Sequence, residues 1–370
     1  MRMAQTDSAY RPKVLLLIPH LRGGGAEQVT RLLAGRLSSQ EYEVHLGLVT
    51  QRHAYRENLP PWVAIYALGA RRVRGAAFKL LRLIWRLKPD VVLSNDAQLN
   101  FMVLLLRRLF PRKTRVVVRQ NATASLALAS GVLPRYTRSL YRFLYRRADQ
   151  AFCQSNSMAR DLMEETDTQL DRIAVIPNPV DVAGIRTAAA SPVQWFGPGP
   201  HLLAVGRLSY EQGFDLLLRA LSIVRISFPG ATLIIVGSGP EEEALKADCR
   251  DLGLDCAVYF AGAVDSPYSF FPGATLFVLS SRQEGVPNAL LEAAAANLPI
   301  VAVPSSGAVV DFLNGRLQSW LASRISAQAL AASIIEALLA LRRQQRSRGD
   351  VPALSVPLDP ASAPVSTASL

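Results

Sequence analysis

Two carboxylates separated by seven residues, Glu284 and Glu292, carry the most chemistry in this chain. They stand in the run Ser-Arg-Gln-Glu-Gly-Val-Pro-Asn-Ala-Leu-Leu-Glu-Ala, residues 281–293. A carboxylate accepts hydrogen bonds from the hydroxyl groups of a ribose or a hexose. A helix start beside it offers unpaired N–H groups and partial positive charge, which suit a phosphate. The combination fits a ligand made of phosphate and sugar. Taken alone, the pair also reads as ordinary solvated acids at a helix start.

The elements that must position these acids are legible around them. Residues 276–279 form an apolar run that reads as a buried strand. A loop with Gly285 and Pro287 follows, and the Ala- and Leu-rich residues 288–296 read as a helix. Pro299 stops it before a strand at 300–303. The same strand, turn, helix order recurs along the chain. Strands are expected at 14–18, 44–49, 63–68, 91–94, 116–118 and 151–153, with helices around 78–87, 97–109 and 136–147. Further on, a strand runs into Gly206 and Arg207, ahead of a helix from about Gly213. Residues 232–236 lead into a turn with Gly237 and Gly239, and 258–265 give another strand and loop with Val264. Alternation of this kind implies parallel, doubly wound α/β sheets. Glycine-rich turns after strands, at Gly24 and Gly25 as well, let backbone approach a phosphate or sugar closely.

Length and composition set the frame. The 370 residues, half of them hydrophobic, suffice for two domains. The expected division is a flexible leader (1–12), an N-terminal domain (13–185), a linker (186–200), a C-terminal domain (201–341) and a disordered tail (342–370). Cys153, Cys249 and Cys256 show no metal or disulfide spacing and read as small buried hydrophobes in a reducing cytoplasm. No apolar run approaches the ~20 residues of a membrane span. The net charge of +12 is unevenly placed: residues 1–195 hold 29 Lys and Arg against 14 Asp and Glu, and residues 196–370 hold 12 against 15. Basic clusters at 71–88, 107–115 and 135–147 fit an anionic membrane surface, or a solvated face with apolar residues turned to the core. In the third cluster the arginines are interleaved with Tyr136, Tyr141, Phe143, Leu144 and Tyr145, and a basic helix with an aromatic face can lie on such a surface. No nucleic-acid motif accompanies the charge.

The acidic run resembles the Glu-x7-Glu wording of retaining glycosyltransferases of family four, which have the GT-B fold. The resemblance covers roughly residues 13–340. Gly-Gly-Ala-Glu at 24–27, Ile-Pro-Asn-Pro-Val-Asp at 176–181, Gly-Arg-Leu from Gly206 and Val-Gly-Ser-Gly-Pro from Val236 match family motifs in order. It implies two Rossmann-like doubly wound domains facing each other across a cleft. It also implies an enzyme that transfers a hexose, with retention, from a nucleotide-sugar to a saccharide or lipid-linked saccharide in cell-surface glycan synthesis. By the same resemblance Glu292 would accept from ribose hydroxyls and Glu284 from hexose hydroxyls. Backbone N–H groups of Gly285, Val286 and Asn288 would surround sugar and phosphate. Arg207 would take the diphosphate, with Gly237, Gly239 and Val264 near the nucleotide and Gly24 and Gly25 across from it. The family's diphosphate-binding Lys is replaced here by Gln212. Where many members carry a His near the reacting sugar, this chain has Arg119-Gln-Asn121, so Arg119 and Asn121 are candidates for sugar or acceptor contact; a polar strand-end cap is the alternative. No Asp-x-Asp motif occurs, so metal independence is expected. No cofactor is expected, and a UDP-sugar is the favoured donor. A cytoplasmic protein, peripheral on the inner membrane face, follows. Two other readings stay open: a degenerate, non-catalytic nucleotide-sugar binder, and a sugar-nucleotide epimerase on the same fold.

Overall fold

The computed structural model describes residues 10–21, 24–37, 39–50, 59–129, 138–264 and 266–347. Expectations for the leader before Tyr10, for Arg135 and Tyr136, for Asp265 and for the tail beyond Ser347 lie outside them. Two compact units result: residues up to Val180 with Gly285–Asn288, and Asp181–Glu284 with the chain from Ala289 on. Helix Val182–Ala188, capped by the Asp181 carboxylate on the Gly184 N–H (2.9 Å), therefore opens the second unit.

The first unit holds β1 (Lys13–Ile18), β2 (Glu43–Leu48), β3 (Ala64–Ala67), β4 (Val91–Ser94), β5 (Arg115–Arg119), β6 (Gln150–Cys153) and β7 (Ile173–Val175). They form one sheet, ordered β3-β2-β1-β4-β5-β6-β7, and every pairing is parallel. Its helices are α1 (Gly25–Arg36), α2 (Ala77–Leu87), α3 (Ala97–Leu106), α4 (Ala124–Ala129), α5 (Arg138–Tyr145) and α6 (Asn156–Thr166). Alternate residues of β1 enter different cores: Leu15 and Leu17 pack with α2 and α3, while Val14, Leu16 and Ile18 pack with Ala34 of α1. That two-sided burial is why the strand reads as an unbroken apolar run. α3 starts where the Asp96 carboxylate accepts from the Gln98 and Leu99 N–H groups, both at 3.0 Å.

After α7 (Val182–Ala188), the second unit repeats the plan with β8 (His201–Val205), β9 (Thr232–Val236), β10 (Val258–Gly262), β11 (Leu276–Leu279), β12 (Ile300–Ala302) and β13 (Ser319–Leu321). This sheet is also parallel, ordered β10-β9-β8-β11-β12-β13. α8 (Phe214–Ser227), α9 (Glu242–Asp251), α10 (Asn288–Ala295), α11 (Gly307–Leu313) and α12 (Ala327–Ser347) complete it. Leu330, Ala331, Ile334, Ala337 and Leu338 of α12 share a core with Leu217, Leu218 and Leu221 of α8.

Two expectations change. The tail was expected to begin at 342, but α12 continues through Ser347. Arg and Gln are good helix formers, and the Arg342 guanidinium rests 4.4 Å over the Phe228 ring, which holds that turn down. Of the three cysteines, Cys153 and Cys249 are buried but Cys256 is exposed. Burial pushes the Cys153 thiol up to about 12, so it stays a protonated, inert filler.

In each sheet the strand order reverses beside the first strand, between β1 and β4 and between β8 and β11. Ligands of doubly wound folds bind outside the carboxyl ends of the strands at such switch points.

Candidate active site

In the second unit the loops leaving β8 and β11 flank the switch point. They carry Gly206 and Arg207 on one side and Ser280 to Glu284 on the other. Three glycines let these loops, and the loop leaving β9, close on one another. A side chain at Gly237 (φ +141) would lie 1.9 Å from the Gly206 carbonyl oxygen, and one at Gly239 would lie 2.2 Å from that of Leu208. A side chain at Gly213 (φ +63) would lie 2.2 Å from the Ser280 carbonyl oxygen. Glycine is required at all three positions.

Gln212 is the centre of this arrangement. Its backbone carbonyl accepts from Ser280 Oγ at 2.9 Å. Its Nε2 donates to Glu284 Oε1 at 2.6 Å, and its Oε1 accepts from Ser281 Oγ at 3.3 Å. Burial raises the pKa of Glu284, against the lowering effect of hydrogen bonds from Gln212 and Ser281. Among the described residues no cation forms an ion pair with it. A partly buried acid held by neutral donors is a strained element, and such groups gather at functional sites.

The loop is braced from behind by a pair that sequence reasoning missed. Arg282 reaches Asp215 through two hydrogen bonds, 2.8 and 2.7 Å, and lies 4.1 Å over the Tyr210 ring. Burial works against the Asp215 charge, but Arg282 outweighs it and its pKa falls. The only sequence signal was the i, i+3 position of Asp215 after Gln212, which is too common to read. Arg207 is exposed and makes no side-chain hydrogen bond or ion pair among the described residues. Its guanidinium is thus open to an anion.

Glu292 lies one turn inside α10 and is only 5% exposed. Tyr268 donates its hydroxyl to Glu292 Oε1 at 3.2 Å. It is not a solvated helix-start acid. Tyr268, on the turn after β10, was not singled out by the sequence, because an isolated Tyr in an aromatic run (Tyr268, Phe270, Phe271) reads as core. Val264 is exposed beyond β10.

In the first unit, Gly24 caps α1 and Gly25 begins it. The Glu27 carboxylate folds back to that end, 3.0 Å from His20 Nδ1. Asn95, just past β4, ties the same helix down by donating to Thr30 Oγ1 (2.8 Å) and Ala26 O (3.1 Å). Asn121 donates to Asn95 O at 2.7 Å and accepts from Gln154 at 3.4 Å. Arg119 is 2% exposed and donates to Asn178 Oδ1. Burial pulls its pKa down to about 10, so it remains a cation, and its Nη1 has no hydrogen-bond partner. Gly285, Val286 and Asn288 belong to this unit. The Val286 N–H donates to Gln154 at 3.2 Å and Asn288 donates to Gly25 O at 2.9 Å, while Asn178 donates to Asn288 Oδ1 at 2.5 Å. Asparagine and glutamine amides therefore line the carboxyl edge of the first sheet.

Among the described residues, no three His, Cys, Asp or Glu side chains gather as metal ligands would, and no helix is long and apolar enough to cross a membrane.

Residues 23–183 match the family model "Glycosyltransferase Family 4", and residues 199–340 match "Glycosyl transferases group 1". An uncharacterized glycosyltransferase of Methanocaldococcus jannaschii is 27% identical over 236 residues, 60% of this chain and 58% of that protein. The chain thus spans a little over half the length of that relative. From Campylobacter jejuni, N-acetylgalactosamine-N,N'-diacetylbacillosaminyl-diphospho-undecaprenol 4-alpha-N-acetylgalactosaminyltransferase is 26% identical over 299 residues, covering 78% of this chain and 80% of that protein. Among solved structures, Anabaena HepE in complex with UDP and glucose superposes with a TM-score of 0.71 at 17% identity, over 90% of this chain and 91% of that one. With a glycosyltransferase family domain in each half and a parallel Rossmann-like sheet beneath each, the chain belongs to the GT-B glycosyltransferases.

Proposed function

We propose that the protein moves a hexose from a nucleotide-sugar, most readily a UDP-sugar, to a saccharide or lipid-linked saccharide during polysaccharide or lipopolysaccharide synthesis. The observation that carries this reading is the partly buried Glu284 carboxylate at the switch point of the second sheet, braced by Gln212 and without an ion-pair partner among the described residues. Such an acid favours polar ligand hydrogens, as sugar hydroxyls supply. Glu292, oriented by Tyr268, would accept from the ribose. Arg207, exposed and without an ion pair among the described residues, would neutralise the diphosphate as the glycosidic bond breaks, which is where electrostatic stabilisation acts most strongly. The close-packed turns at Gly206, Gly237 and Gly239 would admit the nucleotide against backbone.

Retention of configuration is part of the proposal. The acceptor hydroxyl would attack from the face the leaving group departs, with a diphosphate oxygen taking its proton. The lipid-linked acceptor draws on the relative from Campylobacter jejuni, whose name specifies a diphospho-undecaprenol acceptor. No metal or cofactor is invoked.

The test is an assay of the full chain with UDP-, GDP- and ADP-sugars, with saccharide and polyprenyl-diphosphate-linked saccharide acceptors, and anomer assignment by proton NMR. Transfer from one α-linked donor to give an α-linked product is expected. Epimerised donor without transfer would establish the epimerase reading instead. Donor binding without turnover, rescued by Gln212→Lys, would establish the degenerate binder.

A further inference from the structure

One face of α2 is left uncovered by the described residues of the first unit. Phe78, Arg82 and Trp85 fall at i, i+4 and i+7, so they share a stripe. Leu80, Leu83 and Ile84 occupy the opposite stripe, in the core. Phe78 is 76% exposed, Trp85 54% and Leu109, on the turn after α3, 55%. With Leu81 and Phe110 they line an open groove of about 590 Å³, edged by Arg82 and Arg108. Trp85 Nε1 donates to the Leu109 carbonyl oxygen at 2.9 Å, which ties the two walls together. Exposed aromatic surface of this extent is uncommon unless something covers it.

Charge identifies the cover. From residue 58 to residue 148 the sequence carries 18 Lys and Arg, with Asp90 and Asp96 as its acids. Neither acid neutralises the rim. Asp90 is taken by the Tyr10 hydroxyl (2.6 Å) and the Lys13 N–H (2.7 Å), and Asp96 caps α3. Asp149 pairs with Arg107 at 3.1 Å. Arg82, Arg86, Arg108, Arg112 and Lys113 form no ion pair among the described residues. An apolar floor inside an uncompensated cationic rim matches a surface with acyl chains beneath anionic headgroups. A second copy of the chain would set like charge against like. A nucleic acid would leave Phe78, Leu81 and Leu109 without apolar contact.

The aromatic residues interleaved with arginine in α5, which the sequence offered as a membrane-facing stripe, do not form one. There Tyr141 and Tyr145 are buried, and both hydroxyls accept from Gln120, at 3.1 and 2.8 Å. Its aromatic residues are core, with Phe143 the exception at 50% exposure.

We propose that the groove between α2 and the turn Arg107–Leu109 seats the protein on an anionic phospholipid surface. Phe78, Trp85 and Leu109 enter the acyl boundary, and Arg82, Arg86, Arg108, Arg112 and Lys113 meet headgroup phosphates. This contact would bring a lipid-linked acceptor to the first unit, and to that extent it rests on the acceptor class proposed above. Vesicle binding needs neither donor nor acceptor, so its failure would leave sugar transfer untouched.

The experiment uses the full chain with vesicles of phosphatidylglycerol and phosphatidylcholine, or phosphatidylcholine alone, read by flotation and tryptophan emission. Expected are binding to the anionic vesicles at low salt, release at high salt, and a blue shift that disappears in Trp85→Phe while binding persists. Arg82→Glu with Arg108→Glu, both exposed and so tolerated by the fold, should weaken partitioning at least about ten-fold. Phe78→Ser with Leu109→Ser should do the same. No binding, equal binding to phosphatidylcholine alone, or variants that bind as the parent does would overturn the proposal. So would dimerisation that quenches the shift, or tighter binding of an oligonucleotide that displaces the vesicles.

Discussion

The carboxyl edges of the two sheets share a topology and differ in chemistry. In the first unit the edge is lined with the amides Asn95, Gln120, Asn121, Gln154 and Asn178, which bond hydroxyls of Thr30, Tyr141 and Tyr145, backbone and one another, with the buried cation Arg119 among them. In the second it is backbone brought close by glycine, with Glu284 and Glu292 set into it. Amides donate and accept without charge, which suits an uncharged polyol. Glycine turns with an open Arg207 and two acids suit a diphosphate joined to sugars. One architecture thus carries two different edge chemistries, and the difference lies in the loops rather than in the sheets.

The sharpest way to break this comparison is to fill a glycine. Gly237→Ala would place a methyl group on the Gly206 carbonyl at φ +141. We predict destabilisation of about 3 kcal/mol or more, seen in chemical denaturation. If Gly237→Ala is neutral, the close approach of the two turns is wrong.

Much of this was readable beforehand. The strands at 14–18, 91–94 and 232–236 announce themselves because parallel strands covered on both faces read as near-continuous apolar runs, broken here only at their ends by Ser94 and Thr232. The glycines were visible, and so was the substitution at Gln212. Its partner was not: nothing in the spacing says that Gln212 would bond Glu284, 72 residues away. Tyr268 and the Arg282 and Asp215 pair escaped for the same reason, since each acts through a long-range contact, and so did the burial of Arg119 against Asn178, although Arg119 itself was a candidate. The helical run from Arg342 to Ser347 was missed because basic composition resembles a tail unless its helix propensity is weighed.

A second test separates the units. Asn121→Ala frees the Asn95 carbonyl and Gln154. It should raise acceptor KM with donor Kd unchanged, at a stability cost of about 1–2 kcal/mol. A change in donor Kd alone would contradict the division of labour. Gln212→Lys should sharpen the second edge: a cation beside Glu284 lowers its pKa and tightens donor binding, by about ten-fold for a charge-assisted bond to the diphosphate. Calorimetry would show weaker binding instead if Gln212 serves only to hold Glu284.

The smallest expected effect is pH-dependent. Burial raises the Glu284 pKa above the unfolded value of 4.5. A raised carboxylate pKa means that the folded state binds its proton more tightly, so stability is fully present below pH 4.5 and is lost as pH rises through the folded pKa. Glu284→Gln mimics the protonated form. Its melting temperature should match the parent below pH 4.5 and exceed it at pH 7. A variant less stable than the parent at pH 7 would mean that the charged form is welcome in the fold.

The most direct measurement is titration calorimetry of UDP-sugar binding to the parent chain and to Glu284→Gln with Glu292→Gln. Losing two charge-assisted acceptors should weaken donor binding by about 100-fold or more, with the fold intact by circular dichroism. Equal donor affinity in the parent and the double variant would contradict the assignment of these acids to the sugar-nucleotide.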